Sequence, residues 1–310
     1  LLLNSGSDNV IIGYDAGKAL TSGQKHVIIG SGSGAAASTN TNTVSIGYEA
    51  SKNNTAIELV SIGFQAGYSN TSGTSNTNVG DRAGRSNSTG ASRTMIGHNA
   101  GYFNTGSSNT FVGALSGSGS TGVSTGVSNT AVGQQSLNSL ESGLRNVSVG
   151  ASAGSTAGVD LITGDNNVMI GYLATSTTSS VSNEFTLGNS SIATLRCQQT
   201  SITSLSDQRD KTSIEDLPYG LDFVDSLQPK KFIWDNRPET DADGEEYFSA
   251  NKGKKDIGFI AQELQTVDNE WLNLVYDSNP DRLEASYGKL IPVLVKAIKE
   301  LKARVEALES

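Results

Sequence analysis

The sequence predicts a mainly β repeat array, a parallel β-roll or β-solenoid, followed by an α+β domain that ends in a coiled-coil helix. Three observations carry this reading. A glycine recurs about every 17 residues through the first part, the composition changes abruptly near residue 205, and the last twenty residues carry heptad spacing.

The repeat comes first along the chain. An aliphatic residue precedes a glycine eleven times, at Ile12-Gly13, Ile29-Gly30, Ile46-Gly47, Ile62-Gly63, Val79-Gly80, Ile96-Gly97, Val112-Gly113, Val132-Gly133, Val149-Gly150, Ile170-Gly171 and Leu187-Gly188, at intervals of 16 to 21 residues. Such regularity marks a stacked array in which each coil contacts its neighbours. A second β-branched or apolar residue sits two positions before the aliphatic, as in Val27/Ile29 and Val44/Ile46. This period-2 alternation predicts one short strand per coil with one buried face. The glycine permits a turn or close backbone approach, and Ala16, Ala66, Ala83, Ala100 and Ala153, three residues later, suit a tight inner corner. Asn9, Asn76, Asn109, Asn129, Asn146 and Asn167, four before the glycine, are placed to cap turns or to stack as a ladder.

Each coil has two or three aliphatics and an occasional aromatic such as Tyr14, Tyr48, Phe64 or Tyr172. At ~25 cal/mol per Å² of apolar burial that is thin for ordering a whole coil, so association of several chains would help. The pattern Asn-Thr-x-Val-Gly-x-x-Ala-Gly, seen at Asn76–Gly84, resembles the head repeats of trimeric autotransporter adhesins. That resemblance implies a left-handed parallel β-roll built from three chains. The alternative is a single-chain solenoid.

The composition shift divides the chain. Residues 1–200 hold 17 charged side chains and the last 110 hold 36, while all five prolines follow residue 205. Two such parts are expected to have separate cores. Domains are therefore expected at 1–190 (the roll), 191–205 (a β linker, since residues 183–205 alternate apolar and polar) and 206–310. The net charge of −9 splits as −1 and −8, with no basic stripe, so nucleic acid is not an expected partner. No apolar run reaches 18 residues, so membrane insertion is not expected either. The single Cys197 makes an internal disulfide impossible. Leu1-Leu2-Leu3 without a Met reads as the continuation of an upstream portion. His26 and His98 stand alone at repeat positions, so no metal and no cofactor is expected.

At the boundary lies Ser206-Asp207-Gln208-Arg209-Asp210-Lys211. A serine hydroxyl attacks an amide when a base removes its proton, and a lysine serves as that base when burial or a neighbouring cation lowers its pKa. Downstream come Phe232-Ile233-Trp234, Gly258-Phe259-Ile260-Ala261-Gln262-Glu263-Leu264 and Tyr287-Gly288-Lys289-Leu290-Ile291-Pro292. This succession resembles the endosialidase-type intramolecular chaperone domain at the C-terminus of phage tail fibres and tailspikes, also found in the myelin regulatory factor family. The resemblance implies a homotrimer whose C-terminal domain guides folding and then releases itself. By matching position Ser206 would be the nucleophile, Lys211 the base and Leu205–Ser206 the broken bond; Asp210 stands where the family more often has an apolar residue. Asp207 and Arg209 are candidate supporting residues. Gln262 and Glu263 are either helix surface or part of the dyad's support, on a short helix expected within Asp256–Val267. Asp235–Lys255 reads as an exposed hairpin arm, with Asp241, Asp243, Glu245 and Glu246 opposite Lys252, Lys254 and Lys255; its Asp241-x-Asp243-Gly244 lacks the downstream ligands of a calcium loop.

In the terminal stretch Ile291, Leu294, Ile298, Leu301, Val305 and Leu308 step by 3 and 4, a heptad seam on a helix expected at 290–309 with Pro292 in its first turn. β-Branched a with Leu at d favours two strands in a free peptide, so a trimer requires the rest of the domain to set the number. The expectation is a distal tail-fibre or tailspike segment of a virion, made in the host cytoplasm, that touches a host receptor or glycan. A non-phage trimeric adhesin or structural rod using the same chaperone is the alternative. The nine acidic residues of the repeats are scattered singly, without the carboxylate pair of a glycosidase.

Overall fold

The computed structural model describes residues 6–119, 122–155, 159–192, 194–198, 202–240, 246–247 and 251–310. The chain divides into two compact units, Leu1–Ser191 with Pro238–Tyr247, and Ile192–Arg237 with Phe248–Ser310.

The first unit is a parallel β-solenoid. Its eleven strands, from β1 (Val10–Ile12) and β2 (Val27–Ile29) to β11 (Phe185–Leu187), form one sheet in strict chain order. The register advances one repeat per strand, with Val10 opposite Val27, Val27 opposite Val44 and Val168 opposite Phe185. The repeat glycine makes this stacking possible. Gly97 has φ +134°, and a Cβ there would stand 2.5 Å from the Gly113 carbonyl oxygen of the next coil. Only a residue without a side chain fits.

The alternation seen in the sequence is present, but its two faces are reversed from the reading that makes the aliphatic pair the buried face. The residue between the pair points inward: Ile28, Ser45, Ser61, Met95, Phe111, Ala131 and Met169 are buried, while Ile12 is 59% exposed and Ile96 39%. A coil with one short strand encloses a narrow lumen, which takes one strand side chain plus the small corner residues Ala50, Ala66, Ala83, Ala100 and Ala153, all buried. The flanking aliphatics therefore form an apolar face outside the coil. The asparagines do stack. Asn146 Nδ2 donates to Asn129 Oδ1 at 3.1 Å, and Asn167 Nδ2 to Asn146 Oδ1 at 3.0 Å. A second ladder, unforeseen in the sequence, links Asn54, Asn70 and Asn87 seven residues after the glycine, at 2.8 and 3.1 Å.

The second unit begins with extended chain. No strand forms among the described residues of 191–205, and Ile202 and Leu205 are fully exposed. An alternating segment needs a neighbouring strand to complete its ladder, and a single chain offers none here. Then follow a 3₁₀ turn at Gln208–Asp210, α1 (Leu221–Ser226) and β12 (Lys230–Ile233). The chain then passes through Pro238–Tyr247, which belongs to the first unit and carries the hairpin β13 (Glu239–Thr240) and β14 (Glu246–Tyr247); Asp241, Asp243, Gly244 and Glu245 lie outside the described residues. β15 (Lys255–Gly258) pairs antiparallel with β12, so Asp256–Gly258 is strand and the short helix, α2 (Ala261–Gln265), starts later than expected. β16 (Val275–Tyr276) and β17 (Glu284–Ala285) make another small hairpin before α3 (Leu290–Glu309). The core is Leu227, Leu264, Leu272, Leu274, Leu290 and Val293, flanked by Phe223 and Phe259.

α3 turns Leu290, Val293 and Ala297 to that core. Its heptad seam is the adjacent face, and all six seam residues are exposed, Ile298 by 66% and Leu308 by 87%. No described helix is long and apolar enough to cross a membrane.

Candidate active site

Two features of the sequence build the local geometry after Leu205. Asp207 caps the 3₁₀ turn, its carboxylate accepting from the Arg209 backbone N–H at 2.9 Å. The turn reverses the chain within three residues, and Lys211 follows in extended conformation with its N–H donating to the Gln208 carbonyl. A full extended run would separate residues five apart by ~16 Å. The turn instead brings Lys211 Nζ to 2.6 Å from Ser206 Oγ and 3.1 Å from the Ser206 carbonyl oxygen.

Arg209 engages Asp207 rather than the lysine. Its Nη2 lies 2.6 Å from Asp207 Oδ2 and its Nε 3.1 Å from Oδ1. That guanidinium holds the Asp207 carboxyl below the ordinary aspartate range, and Asp207 in turn holds the guanidinium proton more firmly. With this pairing, the Asp207 carboxylate is committed to Arg209 and to the turn. Ser206, Asp207, Arg209 and Lys211 are all exposed. Gln262 and Glu263 lie on the exposed side of α2, where Glu263 pairs with Lys230 at 3.5 Å. Neither makes a hydrogen bond to Ser206 or Lys211 among the described residues.

The geometry places a hydroxyl and an amine in hydrogen-bond contact directly after the exposed Leu205. Chemically the pair can pass a proton from Oγ to Nζ whenever the amine is unprotonated, leaving an alkoxide next to the Leu205–Ser206 peptide bond. Spacing missed the contact between Glu300 and the start of α1. The Glu300 carboxylate accepts from Leu221 N–H at 2.7 Å across 79 residues, and no local signal marks it. Among the described residues no cluster of His, Cys, Asp or Glu could hold a metal ion.

Comparison with known proteins finds similarity in this second unit. Residues 206–273 match a peptidase family model described as chaperone of endosialidase. No curated protein and no solved structure matches the chain. The matched segment opens on Ser206, includes Lys211 and α2, and supports a folding and trimerisation role for the C-terminal part of the chain.

Proposed function

We propose that the chain is the distal part of a phage tail fibre or tailspike whose second unit trimerises, guides folding of the solenoid, and then leaves by self-cleavage at Leu205–Ser206. The observation that carries this is the 2.6 Å contact between Lys211 Nζ and Ser206 Oγ at the first residues of the matched segment. Ser206 Oγ attacks the Leu205 carbonyl carbon while its proton passes to Lys211. The peptide nitrogen of Ser206 departs with a proton returned by the lysine, leaving Leu205 as an ester on Oγ. Water then hydrolyses that ester, freeing a Leu205 carboxylate and the Ser206 hydroxyl and amine.

Threefold assembly is supported by three surfaces left uncovered in one chain. They are the outward aliphatics of the solenoid, the seam of α3 and the unpaired segment around Ile202 and Leu205. Exposed apolar stripes of this length mark association sites. Closing copies around the exposed Ser206–Lys211 pair would supply the desolvation that lowers a lysine pKa. Cutting would then follow correct assembly, and the mature product would be a β rod that touches a host surface. A denaturing gel of the protein beside Ser206→Ala tests the reading. The expected result is fragments of 205 and 105 residues for the native sequence and one intact band for the variant. Identical gels would overturn it.

A further inference from the structure

The first unit carries a groove unrelated to the strand face or to Ser206. It holds about 600 Å³ and is lined by Gln65, Arg82, Arg85, Asn99, Tyr102 and Phe103, together with Leu115, Ser118, Gly119 and Asn138 of the next coils. That volume falls within the ~300–1,000 Å³ of small-ligand sites. None of the outward strand aliphatics lines it, so covering the strand face with further copies uses different residues.

Its charge is set against that of the chain. Two guanidinium groups line the groove and, among the described residues, no Asp or Glu does, in a protein of net charge −9; the nearby Glu49 carboxylate is taken up by Gln65 Nε2 at 2.8 Å and by Lys52. Arg85 is held from four sides: its guanidinium stacks on Tyr68 at 5.2 Å and Tyr102 at 5.5 Å, Nε donates to Gln65 Oε1 at 3.0 Å, and Nη1 donates to Tyr102 OH at 3.0 Å. Nη2 makes no hydrogen bond among the described residues. Arg82 lies over the Phe64 ring at 5.2 Å, with Asp81 3.4 Å from its Nη1. A guanidinium fixed by stacking loses little freedom when it takes a carboxylate through its remaining N–H groups. Beside it, the half-exposed rings of Tyr102 and Phe103 meet edge to face at 4.5 Å and offer an apolar platform. A bare inorganic anion would leave that platform and the Asn99 side-chain amide unused, Gln65 being engaged by Arg85 and Glu49.

We infer that this groove binds a saccharide unit bearing a carboxylate, the acid on Arg82 and Arg85 and the C–H face of the sugar ring on Tyr102 and Phe103. The inference deepens the reading of the rod as a surface-attachment device and rests on it for its biological use. Titration of the full-length protein tests it, using oligosaccharides that contain uronic acid or sialic acid, their neutral parents, sulfate-ester counterparts, and inorganic phosphate. At least one carboxylated sugar is expected to bind tenfold or more tightly than its neutral parent. That binding should fall tenfold or more in Arg82→Gln, which lies outside the Gln65–Arg85–Tyr102 hydrogen bonds, and in Arg85→Gln, with the β circular dichroism unchanged. Preference for no carboxylated sugar over its parent, binding of only sulfate esters or phosphate, or binding indifferent to Arg82→Gln would each overturn the site. Adherence of the rod to host cells is scored separately. Absence of the carboxylate preference with cell binding intact overturns the groove and leaves attachment standing; sugar binding without cell binding does the reverse.

Discussion

The Glu300 carboxylate on α3 accepts a 2.7 Å hydrogen bond from the Leu221 backbone N–H, and so caps a helix that begins 79 residues earlier. Gly220, at the cap position of α1, supplies no side-chain hydrogen bond of its own. Lys296, one turn earlier on α3, stands 3.6 Å from the same carboxylate. Removing the acceptor strands the Leu221 N–H at a helix start, which typically costs ~1 kcal/mol. Glu300→Ala should therefore lower the denaturant midpoint of the second unit, and Glu300→Gln, which keeps an oxygen acceptor, should lower it less. Both tryptophans, Trp234 and Trp271, lie in that unit, so their fluorescence reads its unfolding. An unchanged midpoint in Glu300→Ala would show that the contact adds nothing.

Solenoid stacking depends on the absence of a side chain at the repeat glycine. In Gly97→Ala the new Cβ meets the Gly113 carbonyl oxygen at 2.5 Å, and φ of +134° strains any L residue. Such backbone strain alone costs roughly 1–3 kcal/mol. The matched control is Gly122→Ala, where nothing lies within 4 Å of the added carbon. Thermal melts followed by circular dichroism should show a clear drop for the first and almost none for the second.

The asparagine ladder should be equally sensitive. The Asn146 side chain makes four hydrogen bonds inside the coil, donating to Asn129 Oδ1 and Gly164 O and accepting from the N–H and Nδ2 of Asn167. Asn146→Ala leaves the Gly164 carbonyl and the Asn167 N–H of the next coil unpaired, at about 1–3 kcal/mol for each one that finds no water, while Asn129 Oδ1 keeps the Asn146 backbone N–H. Asn146→Asp keeps the shape but replaces the donor with a buried charge, and should destabilise at least as much at neutral pH. Melting temperatures of the two variants against the native protein provide the check.

These contacts also show how far residues alone could be read. The stacking was legible because one glycine per coil is a geometric necessity that repeats eleven times. Which strand face points inward was not legible. Val27 and Ile29 carry the apolar alternation of a buried face, but the lumen admits only the residue between them, Ile28. The second ladder, Asn54, Asn70 and Asn87, has the same regular spacing as the first and was open to the same reading. Ser206 and Lys211 are paired by the resemblance to the chaperone family; their spacing alone reads as a solvated loop, and the turn capped by Asp207 that joins them was not legible in the residues. The hydrogen bond of Glu300 to Leu221 was not legible either, since nothing in the spacing of two distant segments reports that they meet.

Arg93 occupies a place in the first ladder where other coils have asparagine, and it is 1% exposed. Its backbone N–H donates to Asn76 Oδ1 and its Nη2 to the Asn104 carbonyl, but Nε and Nη1 have no partner. Burial pushes its pKa down to about 9, well below the ordinary arginine range. The charged form is penalised in the folded chain only, so this destabilisation is fully present below about pH 9 and fades as pH rises above it toward the ordinary arginine range. Arg93→Met fills similar space without a charge and keeps the backbone bond to Asn76. Replacing buried ionic groups by apolar ones of similar volume often stabilises by about 1–4 kcal/mol. The variant should melt higher than the native protein at pH 7, with a gap that narrows above pH 9. A variant less stable at pH 7 would mean that the Asn104 contact outweighs the desolvated charge.

Cleavage and assembly can be separated by two substitutions that leave each other's part intact. Lys211→Arg keeps the positive charge and much of the reach to Ser206, but a guanidinium does not give up its proton, so it cannot act as base. Loss of a general base slows such a step by ~100-fold or more. The expected product is an uncut trimer. Ile298→Asp puts a carboxylate in the exposed seam of α3, whose own core contacts are made by Leu290, Val293 and Ala297, so each unit should still fold while association fails. The Ser206–Lys211 contact in a lone chain is solvent-exposed and lacks the burial that makes a lysine a base. The second variant should therefore be an uncut monomer, by sedimentation and denaturing gel together. A monomer of Ile298→Asp that cuts as fast as the native protein would show that proximity of the two side chains suffices, and that assembly plays no part in the timing.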